Sequence, residues 1–431
     1  MGIMKAIPLK KILFLTFLAF SAMTVFAQAD IDSPYSKFGV GQLTGNTKSV
    51  RLKGMGGVGN AIFNKTLINT NNPATLAKMD TLAFLFDAGV YFKTSTFSTS
   101  ANSERGANAS FDYLAMAFGL TKWWKVGVGV QPYSTSGYKM VVPSNHLDAG
   151  SYNTVYKGSG GLNQVMLTNA FRLGKYFSIG ANAYYVFGNT QNTTTVYFDS
   201  TYYIGTRRSI DMMVSSFMFD YGLMFDTPLG SDMHLSIGVT YDQRVKLNGK
   251  QTTFIRSIEE DMDYDVEYLI DTIYYNVNDH AKLTMPQGFG VGFALQKNNR
   301  WTLGADFNWT QWSRFAREGA TEDLHDSWRA AVGFEYMPSY SSVSNYFRKA
   351  SYRLGASYEH GFLNLNDRNL NSLGITAGVS LPLPRSLSKV NLAVEVGQFG
   401  TKQEGLIQER YLKVDVGVSV FERWFMKRKY K

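Results

Sequence analysis

Three stretches near the C-terminus decide the fold: WTLGADFNWT (301–310), LGITAGVSL (373–381) and KVDVGVSV (413–420). In the first, Trp301, Leu303, Ala305, Phe307 and Trp309 interleave with Thr302, Gly304, Asp306, Asn308 and Thr310. In the second, Leu373, Ile375, Ala377, Val379 and Leu381 alternate with small or polar residues, and in the third Val414, Val416, Val418 and Val420 do the same. A period of two places each apolar set on one face of a β-strand. A soluble sandwich buries that face. Segments this long, this numerous and this aromatic predict the reverse, with the apolar face toward lipid and the polar face toward a lumen.

Working outward, fourteen such segments are expected: 82–93, 111–120, 123–132, 161–172, 175–187, 209–226, 233–246, 282–295, 300–311, 327–336, 351–362, 372–381, 389–399 and 410–421. Short links, such as those at Gly174 and at Thr227–Asp232, alternate broadly with longer ones over 133–160, 188–208, 247–281 and 312–326. That alternation is expected of an antiparallel barrel with tight turns on one side and long loops on the other. An even strand count places both chain ends in the periplasm. Segments 193–205 and 251–278 also look β-like; as hairpins extending outward they keep the count at fourteen, and as crossings they raise it to sixteen. The expected fold class is all-β, a transmembrane antiparallel barrel of fourteen strands over 81–421, integral to a bacterial outer membrane.

The N-terminus reads as a signal peptide over 1–27. Lys5, Lys10 and Lys11 precede an apolar run from Ile12 to Met23, too short to span a bilayer, and Val25 and Ala27 give a small-residue cleavage pattern. The mature chain is then expected to begin at Gln28. Loss of the three lysines takes the formal net charge from +9 to +6, and no concentrated basic stripe suits nucleic acid. The dense run Lys427, Arg428, Lys429 and Lys431 belongs to an expected periplasmic tail, 422–431. With no cysteine in the sequence, disulfides, thiol nucleophiles and thiolate metal sites are excluded.

Residues 28–80 differ in kind from the barrel. Gly54, Gly56, Gly57 and Gly59 cluster there, but without a preceding strand and a βαβ context they do not read as a nucleotide site. A compact plug inside the lumen would use such glycines for close backbone packing. The stretch NPATLAKM (72–79) predicts a turn and then a short helix, with Pro73 in its first turn.

The residues then carry a resemblance. The Gly-rich stretch, Asn72-Pro73-Ala74 with Leu76, and the first long strand resemble the start of the FadL/TodX family of outer-membrane hydrophobic-compound transporters. KLTMPQGFGVGFALQ, with Leu283, Pro286, Gly288, Gly290 and Gly292, is similar to that family's Leu-x-x-Pro strand. Trp309 to Ser313, the Asp326-Ser327-Trp328-Arg329 strand with Ala331, Gly333 and Tyr336, and Tyr352-Arg353-Leu354-Gly355 follow in the family's order. The resemblance implies a fourteen-stranded barrel with an N-terminal hatch, and passive uptake of hydrophobic small molecules such as long-chain fatty acids, without ATP or cofactor. Asn72, Pro73, Ala74 and Leu76 are then expected to seat the hatch, and Gly127 and Gly129 to mark a thin, openable wall. A second reading is a FadL-like scaffold in an outer-membrane secretion or protein-assembly complex, with the 247–281 loop and the tail as docking surfaces for protein partners.

Chemistry finds little purchase. His146, His234, His280, His325 and His360 lack metal-ligand spacing, and the acidic cluster Glu259, Glu260, Asp261, Asp263 and Asp265 lacks the spacing of a calcium loop. His234 and Ser236 share a strand face but have no evident orienting partner, so no enzyme, catalytic residue or metal is expected. Asp220, Asp306, Arg329, Glu335, Arg353, Glu395 and Asp415 each alternate with apolar neighbours and should face the lumen, paired with one another and with the plug. Trp123, Trp124, Trp301, Trp312 and Trp328 are expected in interfacial girdles. Phe86, Met116, Phe118, Met218 and Met224 are expected to line an apolar pocket.

Overall fold

The computed structural model describes residues 33–45, 47, 49–148, 150–200, 202–261, 266–298, 300–318, 322–339, 346–384 and 386–423. The signal peptide with its cleavage point, Asp263, Asp265 and the basic run after Arg423 lie outside the described residues.

Among those residues fourteen strands form one closed ring: β1 Ala83–Ser98, β2 Ser103–Phe118, β3 Trp124–Thr135, β4 Gly150–Leu173, β5 Phe177–Phe198, β6 Gly205–Leu229, β7 Met233–Asp242, β8 Gly288–Lys297, β9 Trp301–Thr310, β10 Ser327–Tyr336, β11 Ser351–His360, β12 Ser372–Pro382, β13 Lys389–Phe399 and β14 Gln408–Arg423. Each pairs antiparallel with the next, and β14 returns to β1, from Ala83 opposite Arg423 to Ser98 opposite Gln408. Closure removes both sheet edges, which is what lets strands cross a bilayer with their backbone groups bonded. Left-handed Gly174 and Gly230, at φ of +67° and +69°, make the tight turns after β4 and β6.

The alternation read from sequence is the alternation found. In β8, Gly288, Gly290, Gly292 and Ala294 are buried while Phe289, Val291 and Phe293 lie exposed on the other face. Three corrections follow from local chemistry. The expected strand 282–295 breaks at Pro286-Gln287, because proline brings no N–H to the ladder and fixes φ; its first part closes a separate hairpin, Val245–Asp261 with Val266–Met285, and its second is β8. The long link expected after the first strand is instead a continuation of β1 and β2 up to a four-residue turn. Trp312 is no girdle residue. A 3₁₀ turn at Trp312–Arg314 folds it inside the ring's rim, where it stacks on Phe362 at 4.3 Å. Trp309 takes the outward place, stacked on Phe289, and Trp123, Trp124 and Phe171 form a stack at the tight-turn end.

The two further β-like segments do not add crossings. The first continues β5 to Phe198, and the hairpin 245–285 pairs with the far half of β6, Gly205–Val214 with Gly249–Ile258. On the long-loop side the sheet therefore rises as a wall of six strands, Tyr138–His146, β4, β5, β6, Val245–Asp261 and Val266–Met285.

Val332 sits mid-strand on the exposed face of β10, between Ala305 and Ala356 on the neighbouring strands. Val332→Arg is expected to cost about 2–4 kcal/mol, the range for a basic residue at the bilayer midplane. Tyr202→Arg, in an exposed loop, should cost almost nothing. Urea titration of the protein folded into phospholipid vesicles measures both.

Candidate functional site

Residues 49–79 lie against the ring's buried face. Local chemistry shapes them in three pieces: a helical turn at Val50–Lys53, a glycine turn in which Gly56 and Gly57 are both left-handed, and a 3₁₀ helix at Pro73–Lys78. Asn72 caps that last helix, its Oδ1 accepting from the Ala74 N–H at 3.0 Å, and Pro73 occupies the position where a missing N–H is harmless.

Three basic side chains of this segment carry it onto the wall. Arg51 forks onto Glu335, with Nη2 2.8 Å from Oε1 and Nε 3.1 Å from Oε2, and Arg353 reaches the same carboxylate at 2.5 Å. Lys53 bridges Asp112 of β2 and Asp415 of β14, the latter at 2.8 Å. Lys78 meets Asp226 of β6 at 2.7 Å. All but the half-buried Lys78 are buried. Between them, Asp306 Oδ2 accepts from the backbone N–H groups of Gly59 and Asn60 at 2.6 and 2.8 Å, Arg329 donates to Gly56 O, and Asn60 Nδ2 donates to Asn308 Oδ1. The contacts come from strands around the whole circumference.

Close approach is made possible by wall glycines. A Cβ placed on Gly238 would stand 1.8 Å from Asn60 O, on Gly222 2.1 Å from Asn72 Oδ1, on Gly180 2.5 Å from the Pro73 carbonyl carbon, and on Gly333 2.2 Å from Met55 O. No side chain fits at those positions without moving the segment. Of the alternating glycines of β8, Gly290 and Gly292 belong to the same device, both facing Asn60, whereas Gly288 faces Asp242 of the wall.

Every residue singled out for seating is buried: Asn72 also donates to Asn60 O at 2.7 Å and Leu223 O at 3.1 Å, and Ala74 and Leu76 pack beside it. Gly127 faces Leu76; it is paired to Ala117 and Thr168, and Gly129 to Ala115 and Met166. The ladder between β2 and β3 ends next to them, at Leu114 opposite Val130. Beyond it Ser134 and Thr135 pair instead with Leu43 and Gln42, a short strand of the N-terminal arm. Ser134 Oγ also donates to Val40 O at 2.8 Å, and Thr44 Oγ1 to Pro132 O at 2.8 Å.

The seven lumen charges all lie on the inner face. Beyond those already placed, Glu395 accepts from Tyr411 Oη at 2.7 Å, and Asp220 stands opposite Asp242 in the register of β6 and β7. The expected apolar pocket divides. Met218 and Met224 point inward, but Phe86, Met116 and Phe118 alternate with buried Leu85, Asp87, Ala115 and Ala117 and so belong to the lipid face. Their parity within the strand, not their size, sets their side. The cavity on the long-loop side, of about 470 Å³, is of mixed character, with Lys37, Arg208 and Arg317 beside Tyr138, Val196 and Ile210.

Sequence reasoning missed Arg51, Lys53, Lys78, Asp112 and Asp226. A signal existed in the first two, cations two apart in a Gly-rich stretch with no acid nearby, but their partners lie 59 to 362 positions away. His234 Nδ1 stands 3.3 Å from Asp226 Oδ1, which also accepts from Ser236 Oγ at 3.4 Å. The serine's proton thus points to the carboxylate, not to the histidine that a nucleophile would need.

Among known proteins, the family model described as BamG matches residues 9–431. No curated protein matches the chain. Solved structures with this fold include the Ralstonia pickettii toluene transporter TbuX, at 16% identity and a TM-score of 0.57 over 87% of this chain and 99% of that one. The Pseudomonas putida toluene transporter TodX aligns at 15% identity and a TM-score of 0.56, over 90% of this chain and 100% of its own. A Pseudomonas aeruginosa FadL homologue aligns at 13% and 0.55, over 89% and 100%. The chain thus has the FadL/TodX barrel fold.

Glu335→Ala strands Arg51 and Arg353 side by side without their carboxylate, and is expected to cost about 3–5 kcal/mol. Gly238→Val should instead expel Asn60 from the wall while leaving the ring closed. Thermal melting reads the first, and protease cleavage within 55–72, absent from the parent protein, reads the second.

Proposed function

This chain belongs to the BamG family, and we propose that it works as a sealed barrel, a structural subunit of an outer-membrane assembly complex. The observation that carries this reading is the inner segment, residues 49–79, held at both ends by buried ion pairs and set between wall glycines. A hatch that leaves with each ligand would have to separate Arg51, Lys53 and Lys78 from their carboxylates on each passage. Breaking even one buried pair costs several kcal/mol unless water replaces the partner. The segment therefore serves as a plug, with Asn72, Pro73, Ala74 and Leu76 seating it, and the inward charges serve to hold it there. The hairpin Val245–Asp261 with Val266–Met285 gives such a subunit a surface to offer. Both barrel ends, Ala83 and Arg423, lie on the tight-turn side, and in this reading that side is periplasmic.

A second reading is favoured by one specific observation, the seam between β2 and β3. The FadL-type fold supports outer-membrane uptake of hydrophobic molecules, long-chain fatty acids among them. In this reading the ladder that stops beside Gly129 is a sideways exit, closed by the arm residues 40–44. The plug then need not leave the barrel, and the ligand would pass the outer cavity before reaching Met218 and Met224.

The two readings part on measurement. For a sealed subunit, reconstituted protein is expected to give no conductance and no saturable entry of a fluorescent fatty acid into vesicles. Deletion of 49–79 should open conductance. Capture in mild detergent should return protein partners in fixed stoichiometry. Saturable uptake that falls when Pro73 is changed to glycine, with no stoichiometric partner, would overturn it in favour of the channel.

A further inference from the structure

The six-stranded wall on the long-loop side has two edges, and they are treated differently. The edge at Tyr138–His146 is nine residues long and carries Lys139 and Pro143, both devices that discourage another strand from adding. The other edge, Val266–Met285, is twenty residues long and contains no proline. Its outer side is engaged toward its base, where Leu283 and Thr284 pair with Arg317 and Ala316, the Lys282 backbone bonds Glu318, and Asn278 Nδ2 donates to Glu318 Oε1 at 2.8 Å. From Val266 to Ala281 no described strand lies on that side.

Large side chains are exposed along it: Tyr268, Leu269, Ile270, Ile273, Tyr274 and Tyr275. Bulges at Ile270 and Ile273 interrupt its ladder to Val245–Asp261, so the tip half is irregular. From Tyr274 to Asn278 the register with Gln251–Ile255 is unbroken. That run is regular, carries aromatic side chains and contains no proline, and the register shifts again only at Asp279-His280. A long exposed apolar edge left bare is an aggregation site, and natural proteins cover one.

We propose that the Tyr274–Asn278 edge takes up an extended segment of a partner protein by strand addition, and that this segment is basic. Main-chain bonds would supply affinity and alternate side chains specificity. The charge follows from the flanks: Asp271 and Asp279 bracket the regular run and are exposed, and only Asp279 has a cation beside it, Lys250 at 2.9 Å. A second copy of this chain does not fit. Two barrels inserted the same way up present this strand in the same direction, so the pairing would be parallel and set Asp271 beside Asp271, like charges in neighbouring places. The inference does not depend on whether the barrel is sealed, because a channel bearing this edge would bind the same segment.

The test uses the full-length protein in detergent and two capped peptides of alternating valine and tyrosine, one with a lysine at each end and one with glutamates. The lysine peptide is expected to bind at least tenfold more tightly and to slow amide exchange at 274–278. Its counterpart N-methylated on alternate amides, which leaves the protein untouched, should not bind. Asp271→Lys with Asp279→Lys, both at exposed positions, should reverse the preference between the two peptides. Equal binding, no binding, protection at Tyr138–His146 instead, or concentration-dependent dimers that occupy the edge would each overturn the proposal.

Discussion

A charge inside a closed barrel has nowhere to go. Lipid-facing residues surround the ring on one side, and on the other each buried ion must find its partner among groups that are also buried. Lys53 between Asp112 and Asp415, and Glu335 between Arg51 and Arg353, meet that constraint across strands that are remote in sequence. The rest of the interior is arranged around these pairs. Wall glycines bring the segment near enough for them to form, and the backbone N–H groups of Gly59 and Asn60 are turned toward Asp306 by the same close packing. Such pairs do not necessarily add stability over an apolar packing, but they fix one position for the segment and make every other position costly.

That arrangement separates this barrel from a simple greasy pore. The aromatic side chains that would make an apolar lining are mostly outside, in lipid. The inner face carries carboxylates, guanidinium groups and amides around the segment, and toward the long-loop side a buried apolar cluster that includes Leu162, Met166, Met212, Leu283 and Trp312. The seam beside Gly129 is a place where the ladder between neighbouring ring strands stops short, and it is filled by the chain's own arm. A barrel of the FadL/TodX fold thus provides the frame, and buried ion pairs tie the inner segment to it.

The ring was legible in the sequence because strand parity is a local signal. Trp301 to Thr310 and Val414 to Val420 each announce their face without reference to any neighbour. Parity is also the basis on which the seven charges are expected to face inward. It failed where size was allowed to outvote it, at Phe86, Met116 and Phe118, and where a short turn reset it, at Trp312. The ion pairs were not legible, since nothing near Lys53 in the chain mentions Asp415. The glycines were visible as a pattern, but their meaning depends on what stands opposite, as Asn60 does to Gly238. The hairpin at 245–285 was legible as β-like, and Pro286 was the residue that should have divided it from β8.

One feature bears on how the molecule comes into being. The inner segment ends at Met79, and β1 begins four residues later at Ala83. The ring is completed only when β1 meets β14, joining Ala83 to Arg423 at the far end of the chain. The segment that fills the ring therefore emerges first, and the seam that seals it in closes last. Contacts of such long sequence separation form slowly. Until they do, Arg51, Lys53 and Lys78 have only part of their wall. Filling and closure are thus one event in time: the barrel is built around its contents, and an unfilled ring is a stage that the order of the chain avoids.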